Sequence, residues 1–322
     1  MSDVSMKQSK NRRSVVNFLA KYNTVIIFVL LIIVSSIISP SFLTTRNIFN
    51  IMRQYTGLAV VSVGMLLVIL TGGVDLSVGS VVALGSVLTG YFLQTMPMLP
   101  ALLCTVAFCS LSGVGTGFFV AIRKVPPFVA TLAFMTIIRG ITFIVSKGNP
   151  IRIYDEGIMY LDKDLFLGIP TLMFLVVIVF VIFFLILKYT VFGRLITAIG
   201  SNESAVRLSG ITVQLYKYLV YIITAILCSL AGIVAAARAG LGSPQVGSGM
   251  ELDAIAAVVI GGASLSGGKG SVINTLLGVF ILGIIGNVMN LMNIAAYPHQ
   301  VIKGIVILIA VLLQGVETKH EK

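Results

Sequence analysis

Gly72-Gly73-Val74-Asp75-Leu76-Ser77-Val78-Gly79-Ser80 interrupts one long apolar run of this chain. A near copy, Gly261-Gly262-Ala263-Ser264-Leu265-Ser266-Gly267-Gly268, interrupts another and continues through Lys269-Gly270-Ser271. Both stretches fit Gly-Gly-x-x-Leu-Ser-x-Gly, both follow an apolar run, and both open into a further apolar segment. So close a match in so short a window marks an internal repeat. Gly-Gly pairs remove side-chain bulk and permit positive φ, so an apolar segment can break there or admit another backbone. Paired glycine interruptions in the two halves of a membrane chain point towards a substrate pathway.

The composition around these stretches is that of a membrane protein. Of 322 residues, 57% are hydrophobic and only 10% are charged, with a mean hydropathy of +1.07. A soluble domain carries about 25% charged residues, and several uncharged runs here approach the roughly 18–20 residues that cross a bilayer. The expected fold is an all-α polytopic membrane protein of about ten transmembrane helices. The expected spans are Tyr22–Ile38, Gln54–Leu70, Leu76–Leu93, Ala101–Ile122, a fifth running from Pro126-Pro127 to Val145, Ile169–Leu187 and Leu219–Ala237, followed by Val272–Asn290 and Val301–Leu313. Between the seventh and the last two, Ala254–Ile260 is too short to cross unless extended through the polar residues before it. It reads as a half-helix or re-entrant element and leaves the symmetry of the repeat open. The domain plan is a cytoplasmic tail over 1–21, one transmembrane permease domain over 22–314, and a cytoplasmic tail over 315–322.

The net charge of +11 sits in short loops between apolar runs. That distribution is a membrane-orientation signal, not a nucleic-acid surface. With both termini inside, the cytoplasmic segments hold Lys7, Lys10, Arg12, Arg13, Lys21, Arg123, Lys124, Lys188, Arg194, Arg207, Lys217, Lys269, Lys319 and Lys322, against Arg46, Arg53, Lys147, Arg152, Lys163 and Arg238 outside. Arg139 and Lys303 fall within spans. Cys104, Cys109 and Cys228 lie in apolar runs and read as small core residues.

Catalytic readings fail. His299 and His320 are the two histidines, so no Ser–His pairing or metal cluster is available within the spans. An intramembrane aspartyl protease needs a second membrane aspartate beside Asp75, and Asp253 stands at a helix entrance. The second glycine stretch is no phosphate-binding loop either. Counting back from Gly268-Lys269 puts Ala263 where the first Gly belongs, and Gly270 where a Ser or Thr would hold magnesium. The chain is read as a non-enzyme without cofactor or metal of its own, and any ATP and magnesium belong to a partner.

The basic stretch Lys188–Lys217 reads as a long cytoplasmic loop carrying a helix of about two turns. Asn202 suits its N-cap, Glu203 complements its dipole, and Gly210 ends it in a left-handed conformation. This helix either rests on lipid or docks a cytoplasmic subunit. The Gly-Gly-Val-Asp-Leu-Ser-Val-Gly stretch, the Ala198-Ile199-Gly200-Ser201-Asn202-Glu203-Ser204-Ala205 loop with Ser209-Gly210-Ile211, and the Gly-Gly-Ala-Ser-Leu-Ser-Gly-Gly stretch together resemble the permease subunit of bacterial ABC importers for monosaccharides, of the ribose-permease type. The resemblance covers roughly Ser41 to Leu313. It implies an inner-membrane permease homodimer, a cytoplasmic ATP-binding subunit and an extracytoplasmic sugar-binding protein. It also implies that Asn202–Ser209 is similar to the coupling helix inserted into the ATPase, so Gly200, Asn202, Glu203, Ala205, Arg207, Ser209 and Gly210 are the candidate coupling residues. The Glu-Ala-Ala-x-x-x-Gly pattern of other importers is only partly met, with Ser204 in place of one Ala and Gly210 one residue late.

Gly72, Gly73, Asp75, Ser77, Gly261, Gly262 and Ser266 are candidates for the translocation path or its gating. By the span count both motifs sit near cytoplasmic helix ends, which favours gating breaks over a sugar site. Gly283, Gly286, Asn287 and Asn290 recur along one helix side. Their amides suit sugar hydroxyls, or equally serve as interhelical glue beside close-packing glycines. Asp75 reads as an N-cap, a path residue or the partner of Arg139, and the polar stretch Ser146–Leu167 is a candidate contact for the binding protein. The branched-chain amino-acid ABC permease and, less favoured, an ion-coupled secondary transporter are the alternatives.

Overall fold

The computed structural model describes residues 22–162, 164–166, 169–295, 298–305 and 308. Both expected tails, and most of the expected last span, lie outside these residues. Helix α1 (Asn23–Ile38) is followed by α2 (Thr45–Leu70), α3 (Val78–Phe92) and α4 (Met98–Gly117), which continues through one π-helical turn at Phe118–Ile122. Helix α5 (Pro127–Ser146) begins at Pro127, where a missing amide costs nothing. Next come β1 (Ile151–Arg152), α6 (Glu156–Tyr160), β2 (Asp164–Phe166), β3 (Ile169–Pro170), α7 (Thr171–Tyr189) and α8 (Val191–Leu208). Helix α9 (Val213–Ala239), β4 (Leu241–Gly242), α10 (Met250–Ile260) and α11 (Val272–Leu291) complete the named elements, and residues 298–305 are helical.

Among the described residues six helices are long and apolar enough to cross a membrane: α2, α4 with its π turn, α5, α7, α9 and α11. Helices α1 and α3 are shorter apolar helices. The chain is an all-helical polytopic membrane protein, and helix length alone does not reach the expected count of ten.

The core is built on α9, which packs against α2, α3 and α4. Glycines make that approach possible: a Cβ on Gly113 of α4 would lie 2.6 Å from the Tyr221 carbonyl oxygen, and one on Gly85 of α3 would lie 3.1 Å from that of Ser229. Small residues are how helices meet where hydrophobic burial supplies no driving force. The Thr224 hydroxyl adds an interhelical bond to the Gly64 carbonyl at 3.1 Å. At the other extreme α7 is strongly apolar and turns Val177, Ile178, Val181 and Ile182 outward, as expected of a lipid-facing span.

Three expectations change. Helix α2 starts at Thr45 instead of Gln54, because its polar first turns find partners within the protein. Thr44 accepts the Asn47 amide as N-cap, and the Asn47 side chain donates to the Phe42 carbonyl at 2.8 Å. The expected long loop Lys188–Lys217 is almost wholly helical. The expected outer loop Ser146–Leu167 carries helix α6, whose N-cap Asp155 accepts from Ile158 and whose Ile158 is fully buried. Strand β1 of that connection pairs antiparallel with β4 after α9, in the register Ile151↔Gly242 and Arg152↔Leu241.

The segment 243–260 is only partly helical, with residues 243–249 irregular and α10 following them. Gly242 lies against Ser86 and Val87, while Gly247 lies against Gly79 and Val82. The chain therefore runs along α3, antiparallel to it and without helical structure, before winding up as α10. Non-helical backbone at membrane depth must be buried or line a cavity, because lipid satisfies no peptide groups. Arg139 of α5 meets part of that demand by donating to the carbonyls of Pro244 and Val246 at 2.8 and 3.0 Å. Its partners are these orphaned carbonyls and not Asp75.

Candidate functional site

The two glycine motifs and the Gly200 region converge at one end of the molecule. Helix α2 ends in a Schellman turn: Gly72 is left-handed at φ +77°, its amide donates to Ile69, and the Gly73 amide donates to Val68. Helix α10 ends in the same way at Gly262, φ +82°, with Gly262 donating to Val259 and Ala263 to Val258. The left-handed residue is thus the first glycine of one pair and the second of the other. Asp75 then accepts from the backbone amide of Ser77 at 2.8 Å and from its hydroxyl at 2.6 Å. At the matching positions Ser264 accepts the Ser266 amide at 3.3 Å. Asp75 is buried two residues ahead of α3's N-cap, Ser77, and its carboxylate holds that residue by backbone and side chain instead of capping the helix itself.

The motifs touch through backbone. The Gly268 amide donates to the Leu70 carbonyl at 3.1 Å, and a Cβ on Gly72 would sit 3.6 Å from the Ser266 carbonyl oxygen. Gly200 of α8 lies over that bond: a Cβ there would fall 1.9 Å from the Leu70 oxygen and 2.4 Å from the Gly268 nitrogen. At the same end Thr24 of α1 donates to the Ile260 carbonyl. Helices α2 and α10 therefore run the same way into one junction, which makes the repeat parallel. Gly261 packs on α11, where a Cβ would lie 2.6 Å from the Asn274 oxygen, and Gly73 is held between Val68 and the Tyr221 hydroxyl.

Beyond Gly200 the helix breaks at Asn202, whose φ of −159° and ψ of 91° are extended. Its side chain accepts the Ala205 amide at 2.9 Å, which starts the short helix expected from the sequence. Gly210 ends that piece at φ +80°. Val206 is buried with Ile199 and Val213, while Leu208 is 89% exposed and Ala205 and Ser209 also face out. Glu203 accepts from Lys217 at 2.6 Å and from Arg207. The Lys217 bond foremost, with Arg207 beside it, holds the Glu203 carboxyl below the usual glutamate range. Of the seven coupling candidates Gly200 thus belongs to the glycine junction, and the other six to the projecting piece.

The α11 candidates divide. Asn287 is paired amide to amide with Asn47 of α2, at 2.9 and 2.8 Å in the two directions. Gly283 and Gly286 accommodate the ring of Tyr55, whose hydroxyl would lie 2.3 Å from a Gly286 Cβ. These are the glue and close packing that the spacing also allowed. Asn290 is exposed at the helix end.

A half-open chamber of mixed polar and apolar lining, which the motifs do not mark, lies between α2, α9, the start of α10 and residues 298–305. It has a volume of about 210 Å³ and is lined by Gln54, Tyr55, Arg238, Asp253 and Lys303. Lys303 donates to Asp253 at 2.8 Å. A lysine inside an apolar run was the one available sign, but its partner stands 50 residues earlier in the chain.

A family model described as the branched-chain amino acid transport system / permease component matches residues 47–311. The chain belongs to that permease family. The permease is 42% identical over 308 residues to the ribose import permease protein of Escherichia coli K12, covering 92% of this chain and 94% of that protein. It is 43% identical over 290 residues to the ribose import permease protein of Bacillus subtilis, covering 89% and 90%. Against the L-arabinose transport system permease protein of Escherichia coli K12 it is 34% identical over 326 residues, covering 100% and 99%. No solved structure matches the permease.

Proposed function

We propose that this chain is the membrane-spanning permease subunit of an ABC importer carrying a pentose such as ribose inward across a bacterial inner membrane. The observation that carries the reading is the near full-length identity to ribose import permeases of two distant bacteria. On this reading the glycine-junction end faces the cytoplasm and both termini lie there, in line with the excess of Lys and Arg at that end. The piece ending in exposed Leu208 is the contact for a separate ATP-binding subunit. The β1–β4 end faces outward, towards an extracytoplasmic sugar-binding protein. A second copy of the chain completes the pathway, and ATP and magnesium act on the ATPase. The glycine junction serves as the gate that the ATPase moves.

The branched-chain amino-acid reading stays in view because the family model's own description names that substrate class. Uptake of radiolabelled ribose, competed with arabinose, galactose and leucine, separates the two. Competition by ribose and not by leucine is the expected result. Deleting the ATPase subunit should abolish uptake while leaving the chain in the membrane. Uptake that persists without it would instead mean an ion-coupled carrier.

A further inference from the structure

We propose that the chamber bounded by Gln54, Arg238, Asp253 and Lys303 is where the polyhydroxylated substrate contacts this chain during its passage. The proposal rests on the importer reading and adds the place and the chemistry of contact.

Ionisable side chains within an apolar bundle are costly, and they persist where they pair and line a path. Asp253 and Lys303 do both: they are joined at 2.8 Å, their side chains are 24% and 31% exposed, and both line the chamber. The chamber also flanks the irregular segment: Met250 and Asp253, in the first turn of α10, form its wall directly after the non-helical residues 243–249. Discontinuous spans mark the places where transporters hold substrate at membrane depth.

The lining chemistry fits a sugar. An ammonium carries three donors and a carboxylate only acceptors, while each sugar hydroxyl both donates and accepts. One vicinal diol can therefore bridge the pair without leaving either charge unmatched. The Gln54 amide and the Arg238 guanidinium extend the polar rim, and Arg238 already reaches back to the Gln54 carbonyl at 3.4 Å. Leu58 and Val234, which also line the chamber, supply apolar surface for the C–H face of a ring. The space, about 210 Å³, is small beside the roughly 300–1,000 Å³ of a drug-sized pocket, so it suits a ligand of a few heavy atoms more than a large one. Gly57, Ala231 and Ala235 keep it open.

The glycine junction lacks these properties. Its contacts are backbone to backbone, and Asp75 is already bonded to Ser77. Substrate contact and gating thus fall on different residues.

The test is initial-rate uptake of radiolabelled ribose and arabinose by cells expressing the complete importer, with membrane levels of this chain measured by immunoblot. Four chains are compared: wild type, Asp253→Asn, the charge swap Asp253→Lys with Lys303→Asp, and Ala235→Leu. Leu103→Ala on the lipid face is the control and should match wild type. At equal membrane levels, Ala235→Leu and Asp253→Asn should lower sugar uptake at least tenfold and change the ribose-to-arabinose ratio. The swap keeps an ion pair, so it should restore membrane levels while uptake stays low. Wild-type uptake by the swap would make the pair purely structural and overturn the proposal, as would wild-type uptake by Ala235→Leu. A wild-type chain that imports leucine and neither sugar would overturn the functional reading, and the chamber's sugar chemistry with it.

Discussion

Replacing Gly200 with Ala should open the junction between the two motifs. An added Cβ would lie 1.9 Å from the Leu70 carbonyl oxygen, where a relaxed C···O contact needs about 3.3 Å. The obstacles are backbone atoms of Leu70 and Gly268, so no rotamer change relieves the clash. The chain must separate by more than an ångström, and overpacking of that kind costs about 1–3 kcal/mol. Separation also breaks the Gly268–Leu70 hydrogen bond, adding about 1–3 kcal/mol if the freed groups stay buried. The expected loss is about 2–6 kcal/mol. Fluorescence-detected size exclusion of detergent-solubilised protein after graded heating measures it. Gly140→Ala is the control, because a Cβ there meets nothing within 4 Å, and a helix-interior Gly→Ala change gains about 0.5–1 kcal/mol. If Gly200→Ala melted with Gly140→Ala, the three-way junction described above would not exist in the protein.

Three further outcomes follow from single contacts. Gly262→Ala meets no atom within 4 Å but must hold φ at +82°, so it should cost about 1–2 kcal/mol in the same heating assay and be relieved by Asn. Asn287→Ala should cost about 1–2 kcal/mol, because the Asn47 side-chain oxygen and one of its two amide hydrogens lose their partner while the bond to the Phe42 carbonyl remains. A nitroxide on a Ser204→Cys variant should report low mobility at neutral pH. Because the folded Glu203 carboxyl lies below its ordinary value, its contribution is complete at neutral pH. It is lost as pH falls beneath that ordinary value. Mobility should rise over that acid range in the otherwise native chain, and Glu203→Gln should already be mobile at neutral pH.

Local features were legible in the sequence. The two glycine motifs, the Pro127 start of α5, the Asn202 cap and the Gly210 stop each follow from what one residue does to its own backbone. The one-residue slip between Gly72 and Gly262 was not legible, because the left-handed position is fixed by where the preceding helix ends. Nor was the meeting of Gly200 with the motifs, which needs α8 folded back over Leu70. Asn287 illustrates the same limit. Its spacing served a sugar path and helix packing equally, and the hydrogen-bonded partner that makes it a helix contact, Asn47, stands 240 residues away. Polar residues mislaid the boundaries for a related reason. Asn47 and the stretch 190–208 satisfy their hydrogen bonds inside the protein, so helix continues where composition reads as loop.

The single extended residue Asn202 has a mechanical consequence. It divides α8 into an inner arm ending at Gly200, clamped between two backbones, and an outer arm ending at exposed Leu208. The arrangement is a bell crank. A push on the tip would turn the outer arm, about 9 Å long over six residues, around a fulcrum one residue wide. The tie from Glu203 to Lys217 at the foot of α9 would send part of that torque into the central helix instead of letting it dissipate in a loop.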